Sequence, residues 1–294
     1  MAQKTMEKSY LYIFLASFGF SFIFIFSTLL NQGGMSSLEQ VIFRLSLALF
    51  FLFLILKGKV ALPKKRDLPY FIALGFVFSV FLLVALTAIA FHSPVPVTSA
   101  LVYTQPIFTT IIAIFAGREK FNPIKVLIIL IGIVGVFLVT NIFFQQVTLG
   151  AIFALSAGLL YALYLFLKRA GKPYAPFQLL FNTFLFSIPC ILGLGTVLAV
   201  LMDNPEFVGF STPTSYQFLL LFLFALFSTI LPYGSLNKVN PNKVPPSTEG
   251  TILLLDPMLH TFWAFLLLGQ IVGLLQYLGI SLILLTAVLT LKIK

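Results

Sequence analysis

Apolar residues fall along this chain in blocks of about 20 or more, separated by short polar turns. Ten blocks stand out, at roughly 9–30, 36–56, 68–91, 95–116, 123–140, 148–167, 175–201, 215–235, 245–268 and 272–291. A helix needs about 20 apolar residues to cross the hydrocarbon core of a bilayer, so each block predicts one transmembrane helix. The expected fold class is an all-α integral membrane protein with ten transmembrane helices. The connections leave no soluble domain. Block one follows Lys4 and Lys8, as a signal peptide would. It is too long for a typical signal core and lacks a small-x-small cleavage site, so a retained first helix is expected.

The pattern also repeats. The stretch Pro245–Leu268, PPSTEGTILLLDPMLHTFWAFLLL, matches an earlier one at a shift of 151: Pro257 falls on Pro106, Pro245 on Pro94, Thr261 on Thr110 and Ala264 on Ala113. The same shift carries Leu278, Ile280 and Leu289 onto Leu127, Ile129 and Leu138. Each copy is an apolar helix with a proline near its middle. Proline-interrupted spans at matching places in two halves point to the substrate path of a transporter. Residues 1–141 and 142–294 thus form two five-helix repeats, and because five is odd the second starts from the opposite face. The expected arrangement is two inverted repeats. Weaker echoes at shifts of 139 and 138 pair Phe14, Ser17 and Gly19 with Phe153, Ser156 and Gly158, and Gln40 and Phe43 with Gln178 and Phe181. Ala154, Gly158 and Ala162 form a small-xxx-small ridge, and Gly132 and Gly135 a second groove; both read as close-packing features.

Composition agrees with the class. The chain is 60% hydrophobic and 9% charged with a mean hydropathy of +1.09, too few charges to cover a soluble surface. Net charge +10 would suggest nucleic acid in a soluble protein, but its placement says otherwise. Of the 18 Lys and Arg, 17 fall in the even connections or at the chain ends, and the odd connections hold none. The longest odd connection, Met202–Thr214, carries Asp203 and Glu206 instead. The positive-inside rule then puts both chain ends in the cytoplasm of a plasma membrane protein. No nucleic-acid surface is implied. A lone Cys190 excludes an internal disulfide.

The segment TEGTILLLDPMLHTFWAFLLLGQIVGLLQYLGISLILL resembles the closing signature of the EamA family, within the drug/metabolite transporter superfamily. Its first-half counterpart, VTSALVYTQPIFTTIIAIFAGREKFNPIKVLIILIGIVGVFLV, fits the same repeat, with Arg118-Glu119 in the usual Gly-x-Glu place. The resemblance spans essentially the whole chain. It implies ten spans built as five plus five inverted repeats, and transport of a metabolite: amino acids and related compounds, or sugars, nucleotide sugars and cofactors. Asp256 stands where the family's usual residue before the ninth-helix proline is Glu, and Gln270 where Glu is common.

Charges inside the membrane are the candidate chemistry, since one at the bilayer centre costs about 2.5–3.5 kcal/mol and needs a partner, water or a purpose. Asp256 lies mid-depth in block nine, either lining a cavity as a substrate or proton site or bracing the helix at Pro257. Arg44 is expected to pair with Asp256 or Glu39, or to hold a substrate carboxylate. Glu249, seven residues nearer the inside, faces an inner vestibule or offsets the helix dipole. Glu39 reads as solvated. His92 reads as a loop residue, and His260, one turn past Asp256, shares its face. Tyr103 and Trp263 are candidates for stacking on a substrate. Two histidines and one cysteine give no metal site, no catalytic constellation and no cofactor. The reading is a non-enzymatic secondary transporter, with cavity walls from spans one, three, four, six, eight and nine and Pro106 and Pro257 as gating breaks. Its partners are a small-molecule substrate, the lipid bilayer and a proton as coupling ion. A carrier of phosphorylated or nucleotide-linked sugars would need more cavity cations than Arg44. A scaffold or channel would need neither the repeat nor Asp256.

Overall fold

A computed structural model describes residues 2–91, 95–142, 149–171, 174–202, 209–268 and 273–292. His92, Pro94, Lys172, Asp203, Glu206, Gln270 and Lys294 lie outside them. The described chain is helical, without strands. In order it runs α1 (Ala2–Phe20), α2 (Ile23–Gln32), α3 (Ser37–Ile55), α4 (Leu68–Ala90), α5 (Val95–Val102), α6 (Gln105–Phe115) and α7 (Pro123–Val139). The rest comprises α8 (Gly150–Leu167), α9 (Pro176–Met202), α10 (Ser215–Ala225), a π-helical turn (Leu226–Ile230), α11 (Leu231–Lys238), α12 (Pro246–Ile252), α13 (Leu255–Leu268) and α14 (Leu274–Lys292). Nine of the resulting helical stretches are long and apolar enough to cross a membrane, and Pro123–Val139 is a shorter apolar helix. They coincide with the ten blocks. This is a multi-pass integral membrane protein.

Local chemistry sets the ends and the breaks. Ser36 and Glu39 form a capping box at α3, and Thr214 and Gln217 form another at α10. Asn122 caps α7 ahead of Pro123. Two spans break at matching places: α5 gives way to α6 at Tyr103-Thr104, and α12 to α13 at Leu253-Leu254. Pro106 and Pro257 follow these breaks, each lacking the N–H that would continue the ladder. Thr110 and Thr261, the repeat partners, donate their hydroxyls to the carbonyls of Pro106 and Pro257 at 2.7 and 3.0 Å. The carbonyls that the prolines leave without an i+4 donor are those of Val102 and Leu253, and Asp256 N donates to the Leu253 carbonyl at 3.0 Å. The π turn before Pro232 has the same origin, and Thr229 donates to the Phe224 carbonyl at 3.0 Å.

Close approaches hold the bundle together. At Gly279 of α14 a Cβ would lie 2.6 Å from the Gly135 carbonyl of α7, so only glycine admits this contact. At Gly158 of α8 a Cβ would lie 2.9–3.0 Å from the Leu101 and Val102 carbonyls at the α5–α6 break. The ridge read from the sequence therefore packs directly on a broken helix. Packing is also exchanged between halves: α4 lies on α8 and α9, while the α10–α11 span lies on α1 and α3. The outward faces carry large exposed apolar side chains such as Phe115, Val200 and Phe218. Lipid, not water, accounts for such a surface.

Candidate functional site

The two broken spans meet at the centre, where Gln105 donates to the Gly250 carbonyl at 3.1 Å. Beside them is a cavity of about 110 Å³, with Arg44, Thr98, Tyr103, Tyr161, Phe224 and Asp256 among its walls. The wall residues lie towards the end of the bundle that bears the 31–36 turn and the start of α5, opposite the basic loops. Among the described residues, three polar atoms on the walls of this cavity lack a hydrogen bond and a fourth group lacks an ion pair. Arg44 Nε, Thr98 Oγ1 and Tyr161 OH are buried without a hydrogen bond. The Asp256 carboxylate, on a residue only 2% exposed, joins none of the ion pairs among the described residues. Burying unpartnered polar groups is costly, and a cluster of them around one void is what a ligand site requires. Phe20, Phe81 and Phe224 supply apolar surface around the charges.

The expected Arg44 ion pair is not formed. Its guanidinium lies 4.6 Å from the centroid of the Phe224 ring, a cation–π contact, and neither Asp256 nor Glu39 pairs with it. Glu39 is not solvated either. It is 0% exposed, closes the α3 capping box, and accepts from Ser211 N and Oγ at 3.0 and 3.2 Å. The helix start offers backbone donors to a carboxylate, and the 209–214 segment folds over it. Tyr103 does line the cavity. His260 and Trp263 turn to the α1–α2 break instead: His260 Nδ1 lies 3.2 Å from the Ser21 carbonyl, and Trp263 Nε1 donates to Ser21 Oγ at 2.9 Å. Trp263 stacks on Phe22 with centroids 4.7 Å apart. Span two, absent from the expected walls, contributes Gln40, Val41 and Arg44.

At the opposite, basic end every buried charge among the described residues is matched. Glu249 borders a crevice of about 170 Å³ at this end, as an inner vestibule requires, but its carboxylate is tied up by cations. It accepts from Lys168 Nζ at 2.5 Å and from Arg169 Nη2 at 2.6 Å, and is 1% exposed. Lys168 also donates to the Leu236 carbonyl at 3.0 Å, and Arg169 to the Val244 carbonyl at 2.9 Å. Glu119 accepts from Lys125 Nζ at 2.6 Å and from the backbone and hydroxyl of Ser247 at the start of α12. These contacts tie α8, α11, α12 and the 116–123 turn into one charge-paired seal. The sequence offered one clue to it, Glu249 inside a span. Lys168 and Arg169 sit at a span end, where they look like ordinary topology residues.

A match to the EamA-like transporter family covers residues 7–141 and again 148–292. The chain belongs to the EamA-like transporter family. Its members are membrane transporters, so the cavity and seal described above belong to a transporter. No curated protein matches the chain. Among 28 matching solved chains is one described only as a protein, at a TM-score of 0.78 and 12% identity over 97% of this chain and 98% of that one. That likeness speaks to the fold alone.

Proposed function

We propose that this protein is a secondary transporter of small zwitterionic metabolites, amino acids foremost, and that it exports them by alternating access. The observation that carries the proposal is the pair of unpaired, opposite charges, Arg44 and Asp256, in one largely apolar cavity. Arg44 suits a carboxylate, which it can hold bidentately. Asp256 suits an ammonium group, and Phe20, Phe81 and Phe224 suit an apolar side chain. One cation and one anion leave the site neutral, a poor match for the multiple negative charges of a nucleotide sugar. Asp256 holds either the substrate ammonium or a proton, so the two exchange across the membrane.

The alternating-access reading treats residues 1–141 and 142–294 as inverted halves in the plasma membrane, with both chain ends cytoplasmic. Matched breaks at Pro106 and Pro257 and the exchanged packing support it. On that orientation the seal around Glu249 closes the cytoplasmic end while the cavity lies in the outer half. The state is outward-facing, and the inward state requires Glu249 to release Lys168 and Arg169. The test is counterflow in proteoliposomes with radiolabelled neutral amino acids, competed by N-acetyl and carboxamide analogues. Intact zwitterions should compete and both blocked forms should fail. Arg44→Gln should lose the preference for a free carboxylate. Uptake of a nucleotide sugar, with none of any amino acid, sinks the proposal.

A further inference from the structure

Besides the central cavity, the basic end holds an open crevice of about 770 Å³. Its cations come from three distant parts of the chain: Arg118, Lys120 and Lys125 around the 116–123 turn, Lys243 before α12, and Lys292 at the end of α14. The one acid on its wall, Glu119, is already used, with one oxygen on Lys125 and Ser247 Oγ and the other on Ser247 N. Arg118, Lys120, Lys243 and Lys292 enter no ion pair among the described residues. Arg118 and Lys243 also border an adjoining crevice of about 650 Å³. Four like charges gathered on one concave wall repel one another unless an anion sits between them. The positive-inside rule explains how many cations this face carries, not why these four converge. Lys57, Lys59, Lys64 and Lys65, in the connection before α4, are likewise exposed but line no part of this crevice.

We propose that this crevice binds the headgroup of an anionic phospholipid from the leaflet on the basic side. The rest of its lining argues for a lipid over a free phosphate. Phe121 and Leu291 share the wall with the cations and are 68% and 48% exposed. Just beyond, Ile124 and Leu127 of α7 are 62% and 57% exposed on a membrane-embedded surface. A phosphodiester held by Arg118 and Lys243 lies where α6, α7 and α14 leave the bilayer, and its acyl chains run down that surface. The site stands apart from the transport cavity and does not depend on the substrate reading. It flanks Pro245-Pro246, the turn that carries the Glu119–Ser247 contact, so a bound headgroup braces the closed end.

The test is native mass spectrometry of delipidated full-length protein titrated with phosphatidylglycerol, phosphatidylcholine or inorganic phosphate. The parent should retain phosphatidylglycerol and not phosphatidylcholine, and 10-fold excess inorganic phosphate should not displace it. Each surface cation is worth about a factor of five in binding an anionic lipid, so Arg118→Gln with Lys243→Gln should weaken retention by roughly 25-fold. Lys57→Gln with Lys59→Gln removes the same charge from the same face and should leave the crevice unaffected. Should the crevice pair fail to fold, Lys120→Gln and Lys292→Gln serve singly, each with about a fivefold loss. Equal losses in the crevice and loop variants overturn the proposal, as does retention of phosphatidylcholine. Displacement by inorganic phosphate would make this a free-anion site and overturn the lipid assignment.

Discussion

The two broken helices use one backbone design for different chemistry. At a shift of 151, Gln105 corresponds to Asp256, Thr109 to His260 and Thr98 to Glu249. Gln105 is fully engaged: its amide donates to the Gly250 carbonyl, and Thr109 donates to its side-chain oxygen at 2.8 Å. Asp256, its counterpart, lines the cavity and joins no ion pair among the described residues. The relation reverses about two turns earlier, where Glu249 is bound by two cations and Thr98 Oγ1 has no partner among the described residues. At the shift of 139, Lys168 and Arg169 fall on Leu29 and Leu30, so the end beside Thr98 has no equivalent ion pair. The repeat thus supplies two helix breaks, one cation-paired acid and one cavity acid. One end pairs its buried charges and the other leaves them unpaired around its cavity.

The largest expected effect is at the seal. Glu249→Gln leaves Lys168 and Arg169 buried beside a neutral amide, and removing one member of a buried pair costs about 3–5 kcal/mol. Thermal unfolding should show that loss, whereas Thr98→Val at the matched position should change stability by under about 1 kcal/mol. Adding Lys168→Met to Glu249→Gln should recover part of the loss. If Glu249→Gln unfolds at the parent temperature, the two ends do not differ as described.

Next is the cavity acid. Asp256→Asn keeps size and removes an unpaired charge, so thermal stability should hold or rise. Accumulation of substrate against its gradient should stop, and substrate binding should lose its pH dependence. Gln105→Leu should do the reverse: binding persists, while losing partners for Gly250 and Thr109 costs about 1–3 kcal/mol. Proteoliposome transport with and without a pH gradient, alongside unfolding, measures both. A stable Asp256→Asn protein that still concentrates substrate would remove this residue from coupling.

The helix count, the paired breaks and the family were legible in the sequence because each rests on local runs of residues. Twenty apolar residues, a proline and a 151-residue shift need no tertiary information. The site was half legible. Asp256, Arg44 and Tyr103 could be nominated from depth and residue type, and all three line the cavity. What those signals cannot give is rotation about the helix axis. Trp263 and His260 lie within two turns of Asp256 yet point to Ser21, and Glu39 looked interfacial yet lies under the 209–214 segment. Nor could a single stretch reveal that Glu249 meets cations 80 and 81 residues earlier.

A smaller effect is expected at the prolines. Pro106→Ala and Pro257→Ala each restore a backbone donor at a break, which stiffens one hinge without touching the cavity charges. Both should slow transport several-fold while leaving ligand affinity and folded yield near the parent. Unequal slowing is informative, because the Pro257 hinge must move against the Glu249 seal and the Pro106 hinge has no such restraint. A variant that transports at the parent rate would make its proline an incidental kink.

The smallest change tests whether the comparison extends to the residues beside the hinge. Trp263 Nε1 spends its one donor on Ser21 Oγ, and its ring is packed among Phe18, Phe22 and Phe262. In this state it anchors α13 to the α1–α2 break and forms no part of the cavity wall. Trp263→Phe keeps an aromatic ring and deletes the hydrogen bond, which costs about 0.5–1.5 kcal/mol. Ser21→Ala should cost a similar amount, and the double variant little more than either alone, since both remove one shared bond. Affinity for the transported substrate should not move in any of the three. A drop in affinity with Trp263→Phe that Ser21→Ala does not reproduce would place the indole against the substrate. The cavity would then have to extend past Asp256 towards the α1–α2 break in another state of the cycle.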